Sequence, residues 1–347
     1  MQALVVEPGE AGTARVANLP APAIGPDEVP VRVLEVGVCG TDREIVHGLF
    51  GVAPDGEGLL VLGHEALGVV ERDGHGFARG DLVSAIVRRS CGRCIACAEG
   101  APDSCLTGAY SERGITRLHG YACELVGEDP TQLVPLPRAL GRLSVLAEPI
   151  SICARALRHA RTIGGRQPWR PERALVLGAG AIGTLVTFLL RLEGLEVVTA
   201  ALEPVRPLVE ECGARYVSSP AVALEELGRF DLVVECAGSA ELMAASLGLL
   251  RRSGVACLLG IDGRAQTVAL DGRTIGVDVV LENRVLFGSV NAQRQDWLAG
   301  VEGLDAIRRR WPGALEQLVG LRAPLDRFAD ALAFTGGKAT LVLDGEG

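Results

Sequence analysis

The apolar positions of this chain follow two different rules on either side of about residue 150. Before it, apolar residues come in short runs that stop at glycine turns. The stretch "VRVLEVGVCG" alternates weakly and ends in such a turn, and "LLVLGHEALGVVERDG" and "GDLVSAIV" carry Asp-Gly or Gly-Asp punctuation. That pattern predicts strands, so this part is expected to be largely β with long loops. After residue 150, "SICARALRHAR" predicts a helix and "IGGRQPWRPER" a linker. The stretch "ALVLGAGAIGTLVTFLLRLEGLEVVTAALEP" predicts strand, glycine turn, helix and strand. "FDLVVECAGS", "GVACLLGI" and "RVLFGSV" read as further strands, with a helix expected over "AELMAASLGLLRRS". Strands alternating with helices predict an α/β fold with a doubly wound parallel sheet. From about residue 292 the pattern is helical and ends in a strand, "KATLVLDG".

Length supports the division: 347 residues exceed one ordinary core and suggest two domains. No apolar run reaches the roughly eighteen residues of a membrane helix. The start, "MQALVVEPGE", shows no signal-peptide pattern, so no membrane partner and a cytoplasmic location are expected. A net charge of -9 with dispersed acids argues against nucleic acid as a partner. The densest basic run, Arg308-Arg309-Arg310, reads as a solvated helix end. Lys338 is the single lysine, which suggests the codon bias of a GC-rich genome. Of ten cysteines, Cys123, Cys153, Cys212, Cys236 and Cys257 lie among apolar neighbours, and most of them read as buried, inert thiols.

Three motifs carry chemistry. Gly178, Gly180 and Gly183 form a G-x-G-x-x-G between an apolar strand and a helix, where glycines admit a tight turn and close approach of a pyrophosphate. The following strand ends near Glu203, an acid suited to a ribose diol, which leans slightly to NAD, while Arg206 suits a 2′-phosphate and keeps NADP open. Cys91, Cys94, Cys97 and Cys105 are spaced C-x2-C-x2-C-x7-C, which fits a closed tetrahedral zinc site that holds a loop and performs no chemistry. A disulfide framework is disfavoured in the cytosol, and a redox switch is the remaining alternative. A second zinc set is Cys39, His64 and one or both of Glu65 and Glu148, which leaves a position open for chemistry.

With these motifs in place, "GVCGTD", "GHE", the four-cysteine loop and "LGAGAIG" resemble the zinc-dependent medium-chain alcohol and polyol dehydrogenases over almost the whole chain. Within that family, "GVCGTDREIVHG", "YSERGITRLHGYACE", "EPISICARAL" and "NRVLFGSVNA" look most like the archaeal-type glucose (aldose) dehydrogenases. The resemblance implies a GroES-like catalytic domain over 1–150, a Rossmann NAD(P)-binding domain over 151–290, and a segment over 291–347 completing the catalytic domain. It implies a hydroxyl role near the zinc for Thr41, with Glu65 and Glu148 as catalytic carboxylates. It also implies contacts of Glu112, Glu148 and Asn291 with sugar hydroxyls, Asn291 lying near the nicotinamide as well. The stretch Ile150-Ser151-Ile152 departs from some sugar dehydrogenases in offering only a serine after "EP". His47 reads as a loop residue.

The expected reaction is oxidation of an aldose, D-glucose before others, at its anomeric carbon to the lactone, with two zincs per chain and NAD or NADP. A dimer or tetramer of identical chains is expected. Polyol, threonine or simple alcohol dehydrogenation is the alternative within the family. A non-enzymatic zinc protein, either a redox sensor or a nucleic-acid-binding module, is the alternative outside it.

Overall fold

The computed structural model describes residues 1–219, 221–264 and 266–343, and the chain forms two compact units. The first holds Met1–Ser151, Asn291–Asp305 and the chain from Leu318 on; the second holds Ile152–Val290 and Ala306–Gln317. The family resemblance implied that 291–347 completes the first domain as one piece, whereas 306–317 packs with the second unit. Residues 344–347 of that piece lie outside the described residues.

The first unit is built on Val29–Val38, whose alternating buried positions are read directly from its two-residue period. In its seven-stranded sheet the order is Leu133–Pro135, Leu82–Ala85, Glu65–Val70, Val29–Val38, Lys338–Val342 and Val319–Pro324. Leu125–Glu128 also pairs with Val29–Val38. The strand Lys338–Val342, almost at the end of the chain, lies antiparallel to Val29–Val38 with Ala339 opposite Val38. Val5, Val33, Val36, Val61, Val83 and Leu133 fill the core of this unit. A smaller sheet places Arg88–Arg89 antiparallel to Ser111–Arg113, with Arg88 opposite Glu112.

The second unit contains a six-stranded parallel sheet in the order Arg215–Ser218, Glu196–Ala201, Arg173–Leu177, Phe230–Glu235, Leu250–Leu258 and Val285–Gly288. Numbered along the chain this is 3-2-1-4-5-6, the Rossmann order, with the strand direction of travel reversing beside Arg173–Leu177. Its core strands are apolar on both faces, as sheets covered on both sides require; Leu175, Val233, Leu250 and Ala256 are fully buried.

Two local expectations are corrected. The helix expected over "AELMAASLGLLRRS" stops early: Ala240–Ser246 is helical, and Leu250–Leu258 is a strand. Gly248 interrupts the helix, and pairing with Phe230–Glu235 and Val285–Gly288 claims the rest. The helix read at "SICARALRHAR" spans Ala147–Gly164 and so takes in the start of the linker. The Trp169 ring packs against Gly164, where a Cβ would come within 2.1 Å of it. Arg308, Arg309 and Arg310 close the helix Arg294–Arg310, where positive charge suits the free carbonyls. Among the described residues no helix is long and apolar enough to cross a membrane.

Candidate active site

The glycine motif gives each glycine a distinct physical task. Gly178 has φ +103, and a Cβ there would press within 3.0 Å of the Ala237 amide nitrogen. A Cβ at Gly183 would overlap the Gly178 carbonyl oxygen at 1.9 Å, so the helix packs on the turn only with glycine. A Cβ at Gly180 would meet nothing within 4 Å. Open space at the N-cap of the helix Ala181–Leu192, where N–H groups lack helical partners, fits a pyrophosphate. Two residues beyond the strand Glu196–Ala201, Glu203 Oε1 accepts a hydrogen bond from Arg206 Nη2 at 2.5 Å. The two residues that suggested opposite cofactors therefore form one ion pair. The Nε of Arg206 is buried without a hydrogen-bond partner.

In the first unit, Cys39 follows the strand Val29–Val38 and precedes the short helix Gly40–Val46. His64 immediately precedes the strand Glu65–Val70. Pairing of these two strands brings Cys39, His64 and Glu65 together, with one ligand atom of each within 4.8 Å of the others. Cys39 Sγ lies 3.2 Å from His64 Nε2. Tetrahedral zinc would set such a sulfur–nitrogen pair about 3.5 Å apart, so small adjustments fit the ion. Gly37 stands opposite Glu65 in the ladder, and a Cβ there would fall 2.0 Å from Glu65 Oε2; the glycine makes room for the carboxylate.

Behind these donors lie two residues the sequence reading did not single out for function. Asp42 Oδ2 accepts the Cys39 N–H at 2.9 Å, and Asp42 Oδ1 faces His64 Nδ1 at 3.5 Å. This carboxylate orients the imidazole so that Nε2 points at Cys39, the usual support of a metal-binding histidine. Lys338 is buried, forms an ion pair with Glu65 and donates to the Val38 carbonyl at 3.2 Å. The chain's single lysine is thus a site residue. The available signal was its survival where every other strong base is arginine.

The electrostatics favour an added cation. Burial pushes the His64 imidazole down, but negative charge on Cys39 and Asp42 outweighs it and holds the pKa well above the ordinary value. Glu148, in the first turn of Ala147–Gly164, is pushed up to about 7 by burial and then by the charge of Glu65. It lies outside the group of ligand atoms within 4.8 Å, but near enough that its charge acts on His64 and Lys338. Thr41 is half-buried in the helix that Cys39 begins, and His47 is exposed at that helix's end.

Cys91, Cys94, Cys97 and Cys105 converge, each with its sulfur within 4.8 Å of the others. The Cys94 and Cys105 sulfurs are 3.9 Å apart, far beyond a disulfide and close to the roughly 3.8 Å edge of a tetrahedral sulfur-ligated zinc. Among the described residues none of the ten cysteines is in a disulfide. Hydrogen bonding to Thr107 leads the causes that bring Cys91 down to about 5 and lower Cys105. The Cys91 and Cys97 amides point at Cys97 and Cys94 sulfurs at 3.4 and 3.5 Å. Four donors of one kind suit a saturated zinc with no position for substrate.

Glu112 and Asn291, 179 residues apart, meet: Asn291 Nδ2 donates to Glu112 Oε1 at 2.7 Å. Asn291 has φ +58, a left-handed conformation that asparagine tolerates. Arg88 Nε also donates to Glu112 Oε1, at 2.9 Å.

A Rossmann sheet, a second β-rich unit and two zinc-competent donor sets define a zinc-dependent medium-chain dehydrogenase. Comparison with known proteins agrees. The alcohol dehydrogenase GroES-like domain matches residues 25–138, and the glucose dehydrogenase C-terminus matches residues 141–344. The glucose 1-dehydrogenase of Methanocella arvoryzae is 40% identical over 344 residues, 96% of each chain. That of Thermoproteus tenax is 37% identical over 99% of each chain. The structure of Haloferax mediterranei glucose dehydrogenase in complex with NADP, Zn and gluconolactone superimposes with a TM-score of 0.90, at 32% identity over 99% of each chain. The chain belongs to the glucose dehydrogenase family of zinc-dependent medium-chain dehydrogenases.

Proposed function

We propose that this chain is a zinc- and NAD(P)-dependent glucose 1-dehydrogenase that oxidises D-glucose at its anomeric carbon to gluconolactone. One observation carries the reading. Three unlike donors, from Cys39, His64 and Glu65, converge in a chain similar from end to end to glucose 1-dehydrogenases. Cys39, His64 and Glu65 hold the catalytic zinc, with Glu148 in reserve as a further carboxylate. Cys91, Cys94, Cys97 and Cys105 hold a structural zinc.

Bound zinc supplies a Lewis acid that makes a sugar hydroxyl easier to deprotonate, and the nicotinamide takes up a hydride. The sugar loses one hydride from its anomeric carbon and one hydroxyl proton. The Thr41 hydroxyl, beside Cys39, passes that proton outward. Lys338 balances the charge of Glu65, and Asp42 holds the His64 ring in register. Glu112 Oε2 and Asn291 Oδ1 have no protein hydrogen-bond partner among the described residues, and they receive sugar hydroxyls. Gly178, Gly180 and Gly183 receive the pyrophosphate. Arg206, half committed to Glu203, turns its remaining donors to a 2′-phosphate, which favours NADP. The first unit is read as the GroES-like catalytic domain and the second as the cofactor domain. A cytoplasmic homo-oligomer, dimer or tetramer, is the working state.

The test follows absorbance of reduced nicotinamide with the zinc-loaded enzyme. D-glucose, galactose, xylose, sorbitol, threonine and ethanol are each offered with NAD+ and with NADP+. Turnover is expected first on glucose with NADP+. Turnover confined to sorbitol, threonine or ethanol would overturn the sugar reading while keeping the zinc chemistry.

A further inference from the structure

The Glu112–Asn291 pair belongs to a closed ring of hydrogen bonds that passes through the four-cysteine loop. Arg88 is buried, and one guanidinium bridges two partners. Its Nε donates to Glu112 Oε1 at 2.9 Å, and its Nη1 donates to the Asp103 carbonyl oxygen at 2.9 Å. The Tyr110 ring covers the guanidinium, with its centroid 3.9 Å from Cζ. Asp103 lies in the turn Pro102–Ser104, between Cys97 and Cys105. Its carboxylate accepts Gln293 Nε2 at 3.0 Å and Ser104 Oγ at 3.1 Å. Gln293 is two residues beyond Asn291, which returns to Glu112 Oε1 at 2.7 Å. Both arms of the pair thus end on one residue, through Arg88 on one side and Gln293 on the other.

Such a ring does more than fill space. Glu112 Oε1 accepts two donors, which restrains the carboxylate and leaves Oε2 without a hydrogen-bond partner among the described residues. Asn291 is fixed in the same way, with Nδ2 spent on Glu112 and Oδ1 left for a ligand. Sugar hydroxyls are discriminated by hydrogen bonds that need tight geometry, because a misdirected buried acceptor costs more than a lost contact.

We propose that Asp103 is a positioning residue of the substrate site, so that the four-cysteine loop sets sugar affinity as well as holding its own fold. The inference rests on the reading of Glu112 and Asn291 as sugar contacts. Asp103 touches neither substrate nor reacting atoms; it acts through Arg88 and Gln293.

The test uses the full-length, zinc-loaded protein and the variants Asp103→Ala, Asp103→Asn, Gln293→Ala and Glu112→Gln. Glucose is titrated into the enzyme–NADPH complex, where no turnover occurs, and steady-state kinetics and zinc content are measured in parallel. Asp103→Ala and Gln293→Ala should each weaken glucose binding about tenfold and raise the KM for glucose alike, with kcat changed less than about threefold, the loss expected from one charge-assisted hydrogen bond. The double variant should weaken binding no more than Asp103→Ala alone, since the Gln293 bond is already lost there. Asp103→Asn, which keeps an acceptor oxygen for Gln293, should restore affinity. Zinc content should equal that of the unsubstituted protein. Glucose affinity within twofold of the original in both Asp103→Ala and Gln293→Ala, alongside a clear loss in Glu112→Gln, would overturn the inference and leave the sugar site standing. Unchanged affinity in Glu112→Gln would overturn the sugar-site reading and the inference with it.

Discussion

The two donor clusters of the first unit are built on opposite plans. The four-cysteine cluster takes like donors from fifteen consecutive residues and closes on itself. The Cys39–His64–Glu65 cluster takes unlike donors from the ends of two paired strands and leans on Asp42 and on Lys338, far along the chain. The first plan is economical in sequence and suits an inert zinc, because four sulfurs would complete its tetrahedron. The second needs tertiary structure to exist at all and leaves room for a reacting atom. On the proposed reading, local assembly serves a clasp and assembly from distant residues a reactive centre.

That contrast breaks or holds under substitution. The largest effect is expected for Cys39→Ser: kcat on glucose falls on the order of a thousandfold, as for loss of a Lewis-acid site. NADPH binding, followed by fluorescence, stays unchanged. Full retained activity would sink the assignment of this cluster as the catalytic one. Next comes Lys338→Met, which strands the Glu65 carboxylate in the interior. Breaking one side of a buried pair costs about 3–5 kcal/mol, readable as a lowered urea midpoint. A variant as stable as the original would show that the pair is dispensable.

Cys105→Ser sharpens the comparison from the other side. It should lower the thermal midpoint by about 5 °C or more while the activity at 25 °C drops only severalfold, because a zinc ion held there would support folding. Loss of all turnover without a change in melting would reverse the roles of the two clusters. The smallest effect is expected in the second unit. Arg206→Ala should raise the KM for NADP+ about tenfold, the worth of one charged hydrogen bond, and leave the KM for NAD+ within twofold. Equal changes for both cofactors would remove Arg206 from 2′-phosphate recognition.

Legibility in the sequence followed the same division. The glycine motif and the four cysteines can be read because their geometry is settled within a few residues. A parallel α/β sheet was foreseeable from strand–helix alternation, but its strand order was not. The strand Leu250–Leu258 was masked by a helical-looking start, since only pairing with its neighbours on both sides makes it a strand. Cys39 and His64 were legible as a chain-order pattern, but Asp42 and Lys338 were not: Asp42 meets His64 only once Val29–Val38 and Glu65–Val70 pair, and Lys338 reaches Val38 through a strand register that brings the two ends of the chain together. Arg88, Asp103 and Gln293 escaped for the same reason, since nothing in local spacing links them.

The burial of Lys338 also shapes how the surface meets its surroundings. With the chain's one lysine enclosed beside Glu65, no side-chain amine faces solvent. Open-chain aldoses condense with exposed amines to form imines, and a protein that meets reducing sugars is open to that slow damage. Here the arginine-only exterior offers no side-chain amine for such adducts, and amine-directed dyes and cross-linkers will find the folded enzyme's side chains equally unreceptive.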